Sequence, residues 1–471
     1  MANESNMKTG HRSIRTLGLS GLWILAMGGI LSARAQGLKD LTFSGMGWVQ
    51  YGHVGHSTDT AKNNYNGNPV QTTGAQISLH AAVSEKLVGA VGIGVYENHY
   101  LSGNANGGRI PFMESPYIAE ANFTYSFWKS DASTLQLRGG LFTFDYDPDV
   151  KNLGSYLLRG PVHPGILLSG FETKLYGLET KGYLPIANTL GFQLHHETGK
   201  FRQDLILNSE TDLYPYYDLS PAYLAGYQAT PAFHVGAGVN FYRYLAIEPD
   251  LTSPHQLSPD GRDINPQGGY PYGRNYIYVD PVTQDTTFIS FKGIKLMANA
   301  AFDPKSLLSS PSVFGAEDLK VYGEVALLGL EDSKAYNEIY GDYLHRMPVM
   351  LGFNLPAFTL LDNLSLEVEW YGAKFRDDLW RYQTGRSFYP SPLPVSTYDV
   401  VSTVNVEQNV NRDNWKWSLY GSRTIRKHFK LSFQAANDHF RPGGVVGNPS
   451  QEAILSTPKD WYWMTKIAYF F

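Results

Sequence analysis

Apolar and polar residues alternate with a period of two along many stretches of the chain. A β-strand turns successive side chains to opposite faces, so this alternation predicts strands with one apolar and one polar face. The stretch 364–371 is typical: Leu364, Leu366, Val368 and Trp370 alternate with Ser365, Glu367, Glu369 and Tyr371.

Sixteen windows carry such a pattern, and each has roughly the length that a tilted membrane-spanning strand requires. A further stretch, 189–197, is open between a strand of its own and part of a long turn. The windows are 41–52, 75–84, 87–98, 117–129, 134–144, 172–184, 201–210, 218–228, 232–245, 287–302, 319–331, 347–356, 364–376, 414–424, 429–439 and 460–471.

The last window is apolar on one face, with aromatic residues at both ends: Trp461 and Trp463 at one, Tyr469 and Phe471 at the other. A lipid-facing strand needs this distribution. A chain ending on Phe after such a strand resembles the C-terminal signature of Gram-negative outer-membrane β-barrels. The resemblance implies that Trp463, Tyr469 and Phe471 serve as a membrane-insertion signal. It also implies outer-membrane lipid and the barrel-assembly machinery as partners. For this strand alone, an edge strand of a soluble sandwich remains the alternative.

The connections between the windows alternate in length. Tight turns at 84–86, 129–133, 229–231 and 426–428 separate long polar stretches at 53–74, 99–116, 145–171, 246–286, 332–346, 377–413 and 440–459. Two connections on the short side, 184–200 and 303–318, are long. Short turns at one end and long loops at the other are typical of outer-membrane barrels. We therefore predict an all-β fold: residues 36–471 form one transmembrane antiparallel barrel of about sixteen strands.

The first 35 residues have the pattern of a cleaved secretory signal peptide. Lys8, Arg12 and Arg15 precede an apolar run from Leu17 to Leu31, and 33–35 is a small-x-small cleavage site. A retained anchor is the alternative. Export of the mature chain to the outer membrane of a Gram-negative bacterium is the expectation.

Composition narrows the function classes. Without residues 1–35 the chain has 34 Lys and Arg against 42 Asp and Glu, a net charge of −8. This is not the basic footprint of a nucleic-acid-binding protein. The absence of Cys excludes disulfides and thiolate metal sites.

Five charged residues occupy the polar positions of predicted strands: Glu324, Glu367, Glu369, Lys416 and Lys430. An ionised side chain facing lipid near the middle of the bilayer costs about 2–4 kcal/mol. We therefore expect all five to face the lumen.

The loop 145–171, between the fifth and sixth predicted strands, carries the most specific signal. Asp145, Asp147 and Asp149 open it, and the spacing of Leu153, Tyr156 and Leu157 predicts one short amphipathic helix. The position resembles that of the third long loop of sixteen-stranded general porins, which folds into the lumen as a constriction.

That resemblance implies that Asp145, Asp147 and Asp149 narrow and charge the pore, with Lys151 and Arg159 nearby. It further implies a homotrimer and a channel for passive or weakly selective diffusion of small hydrophilic solutes. The excess of acids on the loop predicts a moderate cation preference. A surface loop lying over the barrel mouth is the alternative.

Three short motifs also resemble the family of porin-like outer-membrane proteins of the Fibrobacter group. They are 147–154 (DPDVKNLG), 302–305 (FDPK) and 367–371 (EVEWY). This resemblance implies topology and location, and little about the solute.

Other chemistry is poorly supported. The three Asp residues begin like a calcium loop, but Val150 replaces its Gly and Tyr156 its final Glu. His195 and His196 are adjacent on a predicted strand and point to opposite faces. The pair Asp438 and His439 resembles part of an outer-membrane protease site but lacks identifiable partners. We expect no enzyme activity, metal or cofactor. The competing class is a non-conducting surface protein whose loops 246–286 and 377–413 bind polysaccharide or a protein.

Overall fold

Sixteen strands form a closed barrel within the part of the chain that the computed structural model describes. The described residues are 40–57, 66–67, 70–99, 115–159, 167, 188–209, 217–245, 255–257, 275–279, 286–290, 292–308, 313–330, 342–372, 415–440, 455 and 457–471. Every barrel strand is antiparallel to both of its neighbours. The predicted fold class, an all-β antiparallel barrel of about sixteen strands, is confirmed.

The strands follow one another around the barrel in chain order. They are β1 (Asp40–His56), β2 (Gln71–Ala82), β3 (Leu87–His99), β4 (Ser115–Lys129), β5 (Ser133–Thr143), β6 (Asn188–Thr198), β7 (Phe201–Ser209), β8 (Leu219–Thr230) and β9 (Phe233–Tyr242). After β9 come β10 (His255–Leu257), β11 (Asn275–Val279) and β12 (Thr286–Ser290), which form a separate three-stranded sheet. The barrel then continues with β13 (Gly293–Phe302), β14 (Val321–Leu328), β15 (Val349–Asn354), β16 (Asn363–Trp370), β17 (Trp415–Ile425), β18 (Phe429–Asn437) and β19 (Trp461–Phe470).

The sequence assigned the sixth strand to the wrong stretch. The window 172–184 lies outside the described residues, and the strand that pairs with β5 and β7 is β6, the stretch that the pattern left open. The connection from β6 to β7 is therefore a tight turn at 199–200. The window 287–302 also divides, because its first residues belong to β12 and only Gly293–Phe302 enters the barrel.

With that correction the turn lengths alternate. The end of the barrel at which β1 begins and β19 ends has tight turns, apart from 303–320 and 355–362. In the longer of these, a 3-10 helix at Pro304–Leu307 is capped by Asp303, whose side chain accepts a hydrogen bond from the Lys305 N–H. The other end carries the long connections. The predicted signal peptide lies outside the described residues and stays a prediction.

The wall has an apolar outer face and a largely polar inner face. On β15, the outward side chains of Val349, Leu351 and Phe353 are exposed, and Met350 and Gly352 between them are buried. This alternation follows from the two-residue period of a strand, and it puts bare apolar surface around the outside of the barrel. No helix among the described residues is long and apolar enough to cross a membrane.

The barrel closes where β1 pairs with β19. Beyond β19, the Phe471 N–H donates to the Gly45 carbonyl at 3.1 Å and the Gly45 N–H donates to the Phe471 carbonyl at 2.9 Å. The Phe471 ring lies over Gly45, where a Cβ would come within 2.1 Å of it. Tyr469 and Trp463 lie on the outward face of β19, and the Tyr469 ring packs against Phe429 at 4.9 Å between centroids. Their role in membrane insertion stays a prediction.

Candidate functional site

Residues 144–159, here called the inner loop, leave β5 and lie inside the barrel. Val150, Leu153 and Leu157 are fully buried in a cluster with inward-facing side chains of β7, β8, β13, β14 and β15. Leu157 reaches the inner face of β9, where a Cβ on Gly238 would come within 2.6 Å of it. The predicted inward-folded loop after the fifth strand is therefore confirmed.

Glu367 on β16 fixes the first part of the inner loop through backbone hydrogen bonds. Its carboxylate accepts from the N–H groups of Lys151 at 2.5 Å, Asn152 at 2.8 Å and Leu153 at 2.8 Å. The Tyr322 hydroxyl donates to the same carboxylate at 2.9 Å. A carboxylate that accepts several N–H bonds in a dry environment is a strong anchor.

Glu324 on β14 fixes the second part in the same way. Its carboxylate accepts from the N–H groups of Ser155 at 2.9 Å and Tyr156 at 2.7 Å, and from the Tyr146 hydroxyl at 2.8 Å. The two anchoring carboxylates belong to different strands, so the inner loop is pinned across the wall formed by β14 to β16.

These anchors explain why the predicted short helix is absent. Residues 151–159 form bends and a turn instead of a helix. The N–H groups that would donate along a helix donate to Glu367 and Glu324. Gly154 and Ser155 have φ values of 85° and 57°, which a right-handed helix does not accommodate.

A third contact joins the inner loop to the long-loop end of the barrel. The Tyr156 hydroxyl donates to Glu369 at 2.7 Å, and a His439 ring nitrogen lies 2.6 Å from the other oxygen of that carboxylate. Next to this group, the Asn152 side-chain amide donates to Asp438 at 2.7 Å. Asp438 and His439, which the sequence singled out as a possible catalytic pair, thus hold the inner loop.

Burial shifts the pKa values of the ionisable groups in these contacts. Burial, reinforced by the negative charge of Glu369, raises the pKa of Tyr156 well above its ordinary value. Burial and the charge of Glu324 do the same to the pKa of Tyr146. Both phenols therefore stay protonated and serve as donors. Burial also raises the pKa of Asp438, against the opposing effect of the hydrogen bonds from Asn152 and Tyr462.

Only one of the three predicted acids faces open space. Asp147 is buried and accepts a hydrogen bond from the Asn299 side chain at 3.0 Å. Asp149 is buried and pairs with Lys320 at 3.1 Å. Asp145 is exposed.

Lys151 and Arg159, the two basic residues predicted to lie near the pore, both interact with other groups of the protein. The Lys151 ammonium donates to the Pro148 carbonyl at 2.9 Å and lies 4.0 Å from Glu317. Arg159 is buried, and its guanidinium donates to the carbonyls of Asn152, at 3.1 Å, and Gly154.

The five charged residues expected to face the lumen all lie on inward positions of their strands. Glu324, Glu367 and Glu369 are buried beneath the inner loop, as described above. Lys416 on β17 lies opposite Glu369 of β16. It is buried and donates to the Leu455 carbonyl at 2.5 Å. Lys430 on β18 is partly buried. Four of the five therefore support packed structure, and solute contact by any of them stays a proposal.

A polar cavity of about 470 Å³ lies on the other side of the barrel, between the start of the inner loop and the wall of β4 to β7. Its lining comprises Thr124, Gln136, Arg138, Thr143, Phe144, Asp145, Gln193, His195, Glu197 and Arg202. Except for Asp145, none of these residues was predicted from the sequence to contact the lumen. The alternation of Leu135 and Leu137 with Gln136 and Arg138 was the available signal, since it turns the latter two inward.

Among the described residues, no group of three or more His, Asp or Glu side chains is placed to hold a metal ion. His195 and His196 do lie on opposite faces of β6. On the inner face, the His195 Nδ1 is hydrogen-bonded to the Asp204 carboxylate at 2.8 Å. On the outer face, the His196 Nδ1 is hydrogen-bonded to the Gln203 side-chain amide at 2.8 Å.

No protein-family model and no curated protein matches the chain. Solved structures do resemble it. A triple mutant of Rhodopseudomonas blastica porin shares 8% identity at a TM-score of 0.40, covering 92% of this chain and 100% of that chain. A structure titled "Asymmetric conductivity of engineered proteins" gives 9% identity, a TM-score of 0.40 and the same coverage. A likeness of that size carries no information about the solute, and the resemblance to the Fibrobacter group gains no support from it.

Proposed function

We propose that the chain is a porin-like outer-membrane channel through which small hydrophilic solutes diffuse with weak selectivity. The observation that carries this proposal is the asymmetry inside the barrel. The inner loop is anchored against β13 to β16, and a polar cavity remains on the side of β4 to β7. An anchored loop narrows the lumen, and pore width together with nearby charge then determines what passes.

Several properties belong to the proposal. We infer export by the signal peptide at 1–35 and insertion into outer-membrane lipid by the barrel-assembly machinery, with the long loops outside the cell. A homotrimer, and membership of the Fibrobacter-type family, are inferred from the sequence resemblances alone.

The alternative is a non-conducting surface protein whose long loops bind a polysaccharide or a protein. The separate sheet of β10, β11 and β12, between barrel strands β9 and β13, favours it. Planar-bilayer recording separates the two functions: a channel gives discrete current steps in salt, and a binding protein with a blocked lumen gives none.

Asp147 and Asp149 are buried and Asp145 is exposed, so we expect the cation preference to depend on Asp145. One charge at about 10 Å in water changes an ion's energy by about 0.4 kcal/mol, which is roughly a twofold change in local cation concentration. We expect Asp145→Asn alone to lower the cation preference by about this factor. We expect Asp149→Asn to lower it less, because Asp149 is buried against the wall and Lys320 keeps its ion pair with Glu317 at 3.0 Å.

Reversal potentials in a salt gradient measure this, and they should converge at high salt, where screening removes the difference. Asp149→Asn is the matched control, since it removes the same charge from the same loop. Equal shifts in the two variants would show that Asp145 has no special access to the path.

A further inference from the structure

The cavity beside the inner loop has a row of polar side chains on its wall, of which Gln193 already donates to Asp204 at 2.8 Å. Arg138 on β5 lies directly opposite Thr124 on β4 and Gln193 on β6. Neighbouring strands are about 4.8 Å apart, so these three inward side chains span about 10 Å across the wall. That distance matches the length of a small organic solute lying across the strands.

Arg138 is the basic group of the cavity with donor capacity to spare. Its guanidinium carbon lies 5.2 Å from the centre of the Phe142 ring, and it donates no hydrogen bond to any other described residue. The negative charge of Glu120 on β4 also acts on the guanidinium. Arg202, by contrast, donates to Asp204 at 3.0 Å.

The inner face of β5 has no side chain at the position between Arg138 and Phe142. The inward position between them on β5 is Gly140, which lies opposite Gly191 on β6. Side chains are excluded there: a Cβ would come within 2.2 Å of the Ala121 carbonyl at Gly140, and within 1.9 Å of the Leu207 carbonyl at Gly191. The space over these glycines lets the Arg138 guanidinium and the Phe142 ring approach each other to 5.2 Å.

Acidic groups complete the cavity. Asp145 of the inner loop and Glu197 of β6 line it together with Arg138. A second carboxylate on a bound solute would be repelled by these acids, and an ammonium group would be attracted. The volume of about 470 Å³ lies within the range of small-molecule sites.

We propose that this cavity binds small zwitterions of the amino-acid class, with the solute carboxylate on Arg138 and its ammonium towards Asp145 of the inner loop. This inference rests on the proposed function, since it assumes that the solute reaches the cavity through the lumen. It makes the pore selective for a solute class that net charge alone does not favour.

Binding to the detergent-solubilised barrel tests this without any conductance. Equilibrium dialysis with radiolabelled glutamine, a zwitterion of no net charge, compares the natural chain with Arg138→Gln. A hydrogen bond to a charged group contributes about 1.5–3 kcal/mol, so we expect affinity to fall by roughly tenfold or more. Arg423→Gln is the matched control, because Arg423 pairs with Asp362 at the short-turn end and should leave binding unchanged.

A second variant separates the site from general damage to the barrel. Asp145→Asn should weaken glutamine binding and strengthen binding of glutarate, a dianion. Opposite changes for the two probes cannot arise from misfolding. Equal affinity of the natural chain and Arg138→Gln for glutamine would overturn the proposal, and so would unchanged glutarate binding by Asp145→Asn.

Liposome swelling then distinguishes failure of the site from failure of the channel. Glutamine should enter proteoliposomes faster than mannitol, a neutral solute of similar size, and Arg138→Gln should remove the difference. Channels that conduct salt but pass glutamine no faster than mannitol would refute the site alone. Barrels that conduct nothing would refute the proposed function, and the dialysis result would still decide whether the cavity binds glutamine.

Discussion

Glu367→Ala should free the first part of the inner loop and turn a steady single-channel current into a fluctuating one. The substitution removes the acceptor for the backbone N–H groups of Lys151, Asn152 and Leu153. It also leaves the Tyr322 hydroxyl without its acceptor. Each buried donor left without a partner costs about 1–3 kcal/mol, so the loop loses on the order of 3 kcal/mol or more of anchoring.

Single-channel recording in a planar bilayer measures the effect, together with the temperature at which the folded barrel loses its anomalous electrophoretic mobility. Glu120→Ala is the matched control. It removes a glutamate from the inner face of β4, where its side-chain neighbours are Asn122 and His80 and not the inner loop. A steady single-channel current and an unchanged thermal stability of Glu367→Ala would show that this carboxylate does not hold the inner loop.

Ile77→Arg should prevent assembly of the barrel in lipid, and Gln76→Arg should not. Ile77 lies near the middle of β2 with an outward side chain that is 52% exposed. An arginine on the lipid face near the bilayer centre costs about 2–4 kcal/mol. Gln76, the preceding residue, faces the lumen opposite Gly94, and its side chain donates to the Ser78 hydroxyl at 3.3 Å, so a polar group already lies there away from lipid.

Urea titration of refolding into phospholipid vesicles measures the difference in unfolding free energy. The pair is informative because a water-soluble barrel predicts another outcome: exchanging an exposed Ile for Arg on a hydrated surface usually changes stability by less than about 0.5 kcal/mol. Equal behaviour of the two variants in vesicles would contradict a lipid-facing outer wall.

The two-residue pattern was sufficient to predict the barrel and its strand number. It works because each strand must separate an apolar face from a polar one, and that constraint is local. It misplaced the sixth strand, where the 172–184 window competed with the shorter β6. In β6 the outward Leu190, Phe192 and Leu194 alternate with Gly191 and Gln193, which is the same signal over fewer residues.

The position of the inner loop was predictable, and its internal contacts were not. Asp147 and Asp149 are turned to the wall by Asn299 and Lys320, partners more than 150 residues away in the chain. Their pairing depends on the register of β13 and on the path of the loop, and a local pattern contains neither. The same reason explains the missing helix, because the acceptors of its N–H groups lie on β14 and β16.

If the inner loop borders the path of permeating ions, a single introduced cysteine shows it directly. The chain contains no Cys, so Asp145→Cys introduces a single thiol. A charged, membrane-impermeant thiol reagent added during single-channel recording should lower the current in one discrete step per channel, because the adduct occupies the cavity. Leu351→Cys, on the outward face of β15, should give no step. If mass spectrometry shows complete modification of Asp145→Cys and its conductance is unchanged, the inner loop does not border the path and the proposed constriction is wrong.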